Sequence, residues 1–383
     1  MILWYPSTIL TGRTFRLPVS GRTKPRLIAP EFEIISSRFS FRDNAWLFYL
    51  QCPGNSGDFT ITVIDDQNES SNALIQVKSL AQLRQSLFQG KVCWPRRWPL
   101  GENWASQKKR RTLAREKPSK TNPELVAWWT AQDDHTLWCQ LPNAEGPRAH
   151  YVNVRQGCPV CGTAIFVHHG YYPWKRCHTP ADLRSKCPSC ESSFPSNDLL
   201  SNDFTSGKFV DDGFGYFDEQ GHVFLFVASS RRELVAQYSM AIKHLNDHLS
   251  LTGPDKSVSR QIGLMLLRWA VEETYVASVP QFRHGPSQEV EHPWNGGQPD
   301  WSKSADPIAA MHRIGTLAYA IDVPIVTEIL SQAYDTVWVE LSKDDEWVAR
   351  ARALGLEITD SSAGFNLIEE ALVCLVQAAI DGA

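Results

Sequence analysis

Short apolar segments recur between turn-rich stretches over the first eighty residues, and the clearest of them alternates with period two. Phe59, Ile61 and Val63 fall on one side, Thr60 and Thr62 on the other, which is the signature of a half-buried strand. Further strands are predicted at 32–41, 45–51 and 73–77, separated by Pro53-Gly54-Asn55 and by the polar run 65–72. Strands of this length and spacing predict a small β-sandwich over residues 1–80.

After residue 230 the period changes to that of a helix. Ser230 and Glu233 make a capping-box pattern ahead of Leu234, Tyr238, Ala241, Leu245 and Leu249. A second helix carries Ile262, Met265, Leu266, Trp269 and Tyr275 and stops before Pro280. A third is predicted from Asp306-Pro307, a fourth from Pro324 to about 341, and a fifth over 345–354 with Gly355 as its terminator. The sixth, 367–380, is apolar around most of its circumference, interrupted only by Asn366 at its edge and by Glu369, Glu370 and Gln377. That is the pattern of a helix buried between neighbours. Only Asp381-Gly382-Ala383 follow it, so a partner or further chain is expected to cover it and the sequence reads as cut short. Short loops predict antiparallel helix pairs.

The fold class expected is therefore multidomain α+β. A β-sandwich-like domain covers 1–80, a helical and loop connector 81–150, a cysteine module with a β-hairpin 151–230, and helix pairs 231–383. In the connector, a helix near 80–88 precedes Trp94, Trp98 and Trp104 and the run Lys108, Lys109, Arg110, Arg111. Such a run reads as a solvated helix face, and clustered tryptophans as packing at a junction.

Composition narrows the classes. The 383 residues are 43% hydrophobic and 21% charged, with a formal charge of −4, so no obligatory polyanionic partner is implied and nucleic acid is not expected. No apolar run approaches the ~20 residues of a bilayer span, and the first residues lack the layout of a secretion signal. Nine cysteines at irregular spacing argue for a reducing, cytoplasmic compartment rather than a disulfide scaffold.

Four of those cysteines form two C-x-x-C pairs, Cys158/Cys161 and Cys187/Cys190, separated by 25 residues. Each pair delivers two sulfurs to one ion, and a complete set of four thiolates leaves no open coordination position, so a structural zinc ion is expected. His168, His169, Cys177 and His178 lie between the pairs as alternative ligands that a full tetrathiolate does not need. Asp211-Asp212-Gly213 lacks the alternating oxygen ligands of a calcium loop and reads as a turn into a hairpin around Gly221.

Residues 158–218 resemble a segment of the heparinase II/III-like group of polysaccharide lyases and their relatives. The likeness rests on the paired cysteines, Tyr172-Pro173-Trp174 between them, Phe194-Pro195-Ser196-Asn197-Asp198 after them, and Asp211-Asp212-Gly213-Phe214-Gly215-Tyr216. It continues more weakly through Pro280-Gln281-Phe282-Arg283-His284 and Ala333-Tyr334-Asp335, covering about 81–383 in all. The resemblance implies an N-terminal accessory region, an (α/α) toroid carrying the active site, and a C-terminal β domain. It also implies removal of the C5 proton of a uronic acid by a tyrosine or histidine, followed by β-elimination of the glycosidic oxygen. Against that pattern the chain supplies about half a toroid, and the full catalytic set is expected to be incomplete, leaving catalytic residues unassigned.

Candidate substrate-binding residues are Gln281, Arg283 and His284 after the second long helix, His292 and Trp294 in the Gly/Pro-rich loop that follows, and His312 with Arg313. Tyr172 and Trp174 are expected to pack on the zinc module. The function expected is that of a heparinase II/III-like protein acting on or binding uronic-acid-containing polysaccharide or oligosaccharide. A non-catalytic zinc-ribbon module for protein, glycan or nucleic acid is the alternative.

Overall fold

The computed structural model describes residues 2–41, 43–88, 123–170, 172–176, 182–279, 313–317 and 322–381. The elements begin with strands β1 (Thr8–Leu10), β2 (Thr14–Ser20), β3 (Arg26–Ile28), β4 (Glu33–Ser40), β5 (Ala45–Gln51), β6 (Gly57–Ile64) and β7 (Ser70–Lys78). Helices α1 (Leu80–Phe88), α2 (Pro123–Thr130) and α3 (Asp134–Cys139) follow, then β8 (Pro147–Arg148) and α4 (Ala164–His169). Five two-residue strands come next: β9 (Lys175–Arg176), β10 (Ser185–Lys186), β11 (Ser193–Phe194), β12 (Tyr216–Phe217) and β13 (Val223–Phe224). The remainder is α5 (Phe226–Thr252), α6 (Lys256–Ser278), β14 (Arg313–Ile314), α7 (Asp322–Leu341), α8 (Glu346–Ala353) and α9 (Ser361–Asp381). The protein is thus mixed α+β with several small sheets.

The chain divides into two compact units. One comprises Met1–Leu87, Asn143–Glu233 and Tyr275–Tyr319, the other Phe88–Pro142, Leu234–Thr274 and Ala320–Ala383.

In the first unit, β1–β7 form a four-stranded sheet of order β1-β7-β6-β3 and a three-stranded sheet of order β2-β5-β4. Only β1 runs parallel to its neighbour among these pairings. The period-two segment forms β6 as expected. Ile61 and Val63 are buried opposite Ala73 and Ser71 of β7, and Thr60 points out. Each such aliphatic side chain taken out of water contributes roughly 1.5–3 kcal/mol. β5 occupies the expected span, while β2 was not anticipated. Its Thr-Phe-Arg-Leu-Pro-Val-Ser sequence is buried at five successive positions, Arg16 included, so it shows no alternation to read. Helix α1 opens on a reciprocal capping box, in which Ser79 N–H donates to Gln82 Oε1 and Gln82 N–H to Ser79 Oγ.

One sequence expectation is corrected where the long helices begin. Ser230 does not cap α5, which starts four residues earlier at Phe226. The Val227 N–H donates to the Asp211 carboxylate at 2.9 Å, so an acid distant in sequence supports the first turn. Ser230 Oγ donates instead to the Leu183 carbonyl.

The second unit is helical. Trp347 of α8 is fully buried, and its indole lies against Gly263 of α6 and Gly364 of α9. A Cβ at Gly263 would stand 2.9 Å from Trp347 Cε3, and one at Gly364 2.8 Å from Cη2, so glycine at both positions makes room for the ring. The indole N–H donates to Ser361 Oγ at 3.1 Å. Helix α9 begins six residues before the expected start. Ala363 N–H donates to Asp360 Oδ1 there, and the polar Ser361-Ser362 turn conceals the start from a periodicity reading. Counted from Ser361 to Ile380, α9 is long and apolar enough to cross a membrane, and 56% of that stretch is buried inside the protein. It packs on α7, where Tyr334 donates to Glu369. The α8 span and its Gly355 terminator, at φ 88°, fall where expected.

Candidate metal centre

Two local turns build the site, and they share one geometry. At the first, Cys158 N–H donates to Gly162 O at 3.2 Å, and Gly162 N–H returns to Cys158 O at 2.8 Å. At the second, Glu191 N–H donates to Cys187 O at 2.9 Å. The residue closing each turn has positive φ, 63° at Gly162 and 59° at Glu191. A left-handed residue immediately after the second cysteine folds each C-x-x-C turn back, and only at the first is it the glycine that such a backbone favours.

The two turns meet. Cys158 Sγ lies 3.8 Å from Cys190 Sγ, and Cys161 Sγ lies 3.6 Å from Cys187 Sγ. All four sulfurs fall within 4.8 Å of one another. A disulfide would need about 2.05 Å, so these are not bonded sulfurs. Four thiolates around an ion at about 2.3 Å are separated by about 3.8 Å when tetrahedral, close to the two separations measured between the turns. The four cysteines can therefore hold one metal ion.

Electrostatics point the same way. Burial pushes the Cys158 thiol well above its usual value and the Cys161 thiol up to about 11. Burial acts upward on Cys190 too, but hydrogen bonds from the Ser192 side chain and backbone outweigh it and bring that thiol to about 7. Several thiolates packed together without a cation would be costly; a bound cation reverses that cost and deprotonates the coordinating thiols.

The sulfurs rest on an aromatic core. Cys158 and Cys187 are buried with Val152, Ile165, Phe194, Phe224 and Phe226, and Trp174 packs against the same cluster. Phe194 stacks on Phe226 with centroids 4.8 Å apart, and Trp174 meets both rings edge-on. Trp174 thus packs on the cysteine module as expected, whereas Tyr172 is 62% exposed and stacks on Tyr151. The strands β9, β10 and β11 form a small sheet of order β11-β10-β9 that leads in and out of the second turn.

The segment after the module is tied to it by Asn197. Its Nδ2 donates to the carbonyls of Asp203 and Asp211, and its Oδ1 accepts from Asp211 N–H. Asp211 in turn accepts from Gly213, Gly215 and Val227 N–H groups. Asp212 Oδ1 accepts from Phe214 N–H, and Oδ2 accepts from Arg16, Arg38 and Tyr49. These oxygens are engaged by protein donors, which agrees with a turn rather than a calcium loop; the turn leads into the β12–β13 hairpin, with Gly221 at φ 86°.

His168 and His169 are exposed on α4, outside the sulfur cluster. Cys177 and His178 lie outside the described residues, as do Gln281, Arg283, His284, His292, Trp294 and His312. The Lys108 to Arg111 run, the tryptophans at 94, 98 and 104 and the helix expected at Asp306-Pro307 are likewise outside them. Arg313 is placed by its backbone in β14, opposite Arg148 of β8. Sequence reasoning passed over His150, Tyr151 and Arg232 and read Glu233 only as part of a capping box, yet all four line a cleft with Tyr172 and Trp174. As site residues their sequence signal is the adjacency of His150 to Tyr151 and of Arg232 to Glu233, which by itself identifies nothing. No family model, no curated protein and no solved structure matches the chain.

Proposed function

We propose that this chain is a heparinase II/III-like protein that engages uronic-acid-containing polysaccharide or oligosaccharide, and that its four-cysteine centre holds a structural zinc ion. One observation carries the reading: within 158–218, the cysteine pairs, Trp174, Phe194, Asn197 and Asp211, all among the residues on which the resemblance rests, build one module. The two cysteine pairs converge on a single point, Phe194 stacks over the core beneath them, and Asn197 holds Asp211 from both sides. These contacts are what supports the reading.

Tetrahedral thiolate sites accept zinc or iron. Zinc is the choice because a closed set of four ligands suits a redox-inert ion whose work is to tie two turns together. We read the two N-terminal sheets as a β-sandwich accessory region and the helices of the second unit as part of an (α/α) toroid. None of the seven described cysteines takes part in a disulfide, which suits a reducing, cytoplasmic compartment.

The test is to incubate the metal-loaded chain with heparan, chondroitin and alginate and to follow the ultraviolet absorbance of unsaturated uronate. Product supports β-elimination, and retention on immobilised glycan without product identifies a binding module. Neither product nor retention on any of the three sinks the carbohydrate reading.

A further inference from the structure

Beside the cysteine module the first unit holds a cleft of about 320 Å³, lined by His150, Tyr151, Tyr172, Trp174, Arg232 and Glu233 among others. That volume is at the lower end of small-ligand sites, about 300–1,000 Å³, and suits a mono- or disaccharide rather than a long chain. Its chemistry is mixed. Tyr172 stacks on Tyr151 at 5.4 Å with planes 14° apart, so one face of the ring is backed by protein while most of the side chain meets solvent. The Tyr172 hydroxyl lies 3.1 Å from the Tyr151 hydroxyl and 3.3 Å from His150 Nε2, which gathers three groups able both to donate and to accept. Arg232 Nη1 stands 3.7 Å from Glu233 Oε2, within ion-pair distance, so the cleft carries one charge of each sign.

We infer that this cleft is a binding subsite for an acidic pyranose, with the sugar ring laid on Tyr172, its hydroxyls read by His150 and Glu233, and its carboxylate held by Arg232. The inference rests on the carbohydrate reading above and names where that ligand sits. Aromatic rings with polar tips take the apolar face and the hydroxyls of a pyranose together, and a planar guanidinium matches a carboxylate. The wall is pre-organised. Trp174 is fixed by Phe194 and Phe226, and nearby Asn153 holds the β12–β13 hairpin and the 155–156 turn through Val223 O and two backbone N–H groups. The ordering cost of binding is correspondingly small.

Calorimetric titration of the zinc-loaded chain with a disaccharide of glucuronic acid and N-acetylglucosamine, and with its carboxyl-reduced counterpart, tests this. Saturable binding is expected, weakened at least about tenfold, or 1.4 kcal/mol, by Tyr172→Ala and by Arg232→Gln. The carboxyl-reduced sugar is expected to bind more weakly than the acid and to be indifferent to Arg232→Gln. Wild-type binding that both variants leave unchanged, at full zinc content, overturns the cleft and leaves the carbohydrate reading standing. Equal affinity for acid and reduced sugar overturns the acidic preference. No binding by the wild type, together with no retention on heparan, chondroitin or alginate, removes both. Should Tyr172→Ala fail to fold, Arg232→Gln decides alone.

Discussion

Tyr49 donates its hydroxyl to Asp212 Oδ2 across 2.6 Å, although the two residues are 163 positions apart. The same oxygen accepts from Arg16 at 2.9 Å and Arg38 at 3.2 Å. Three donors from β2, β4 and β5 thus meet one acid from the loop after the cysteine module. Arg16 also lies over the Phe214 ring at 3.8 Å. Through this contact the N-terminal strands and the Asp211-Asp212-Gly213 turn stabilise each other.

Replacing Asp212 with Asn is expected to destabilise the first unit by about 3–5 kcal/mol, because the neighbouring guanidiniums lose their buried counter-charge. Burial alone would raise the Asp212 pKa, but Arg16 and Arg38 outweigh it and hold the carboxyl well below the usual range. Such a group binds fewer protons folded than unfolded. Its stabilisation is therefore full above the unfolded pKa, about 3.9, and is lost as pH falls below it. Urea midpoints measured from pH 6 down to pH 2 should show a steeper acid limb for wild type than for Asp212→Asn. Parallel limbs would refute the assignment.

The metal centre makes a second prediction. Structural zinc sites supply on the order of 10–16 kcal/mol to the folded state, comparable with the whole net stability of a domain, about 5–15 kcal/mol. Cys187→Ser should lose the ion and the order of the module around it, read as near-unity zinc falling to near zero by elemental analysis and as loss of the near-ultraviolet circular dichroism of Trp174 and its phenylalanine neighbours. Because ligation needs thiolates, acidification should release zinc from the wild type as well. A chain that keeps its melting temperature after chelation contradicts a structural role.

How much of this was legible in the sequence follows from where the information lies. The cysteine centre could be read because spacing within 158–190 encodes it locally, and β6, α1 and α8 could be read because period, caps and a terminating glycine are local too. The start of α5 could not, since its first turn is supported by Asp211, a residue outside the helix and fifteen positions before Phe226. Nor could β2, whose buried Arg16 makes sense only once Asp212 is in place. The cleft was invisible for the same reason: His150, Tyr172 and Arg232 are brought together by the fold and by no motif.

The two cysteine turns differ at one position, which yields a third prediction. Glu191 holds φ 59° with a side chain, at a cost of about 1–2 kcal/mol that glycine would avoid. Glu191→Gly should therefore leave the zinc-loaded protein as stable or raise stability by up to about 1 kcal/mol, even though it removes an exposed ion pair with Lys186. At the equivalent Gly162, alanine should cost about 1–2 kcal/mol through strain alone, since no atom lies within 4 Å of the added Cβ. Gly157→Ala should cost more, because its Cβ would come 2.5 Å from the Gly162 carbonyl oxygen. Denaturant midpoints in that order support the shared turn geometry, and a destabilising Glu191→Gly overturns it.

The packing of Trp347 against two glycines sets a sign test in the second unit. Gly364→Ala in the wild type adds a methyl 2.8 Å from Trp347 Cη2, so the gain of up to about 1 kcal/mol in helix propensity should be outweighed by the clash. Trp347→Ala should cost about 3–5 kcal/mol through the cavity it leaves and the lost indole hydrogen bond to Ser361. In that background the clash is gone, the methyl enters empty space and the propensity gain remains, so Gly364→Ala should turn stabilising. The two substitutions touch the same space, and a double-mutant cycle on thermal or urea unfolding of the intact chain measures their coupling directly. A penalty for Gly364→Ala that is the same with and without the indole would mean that the glycine serves something other than the tryptophan ring.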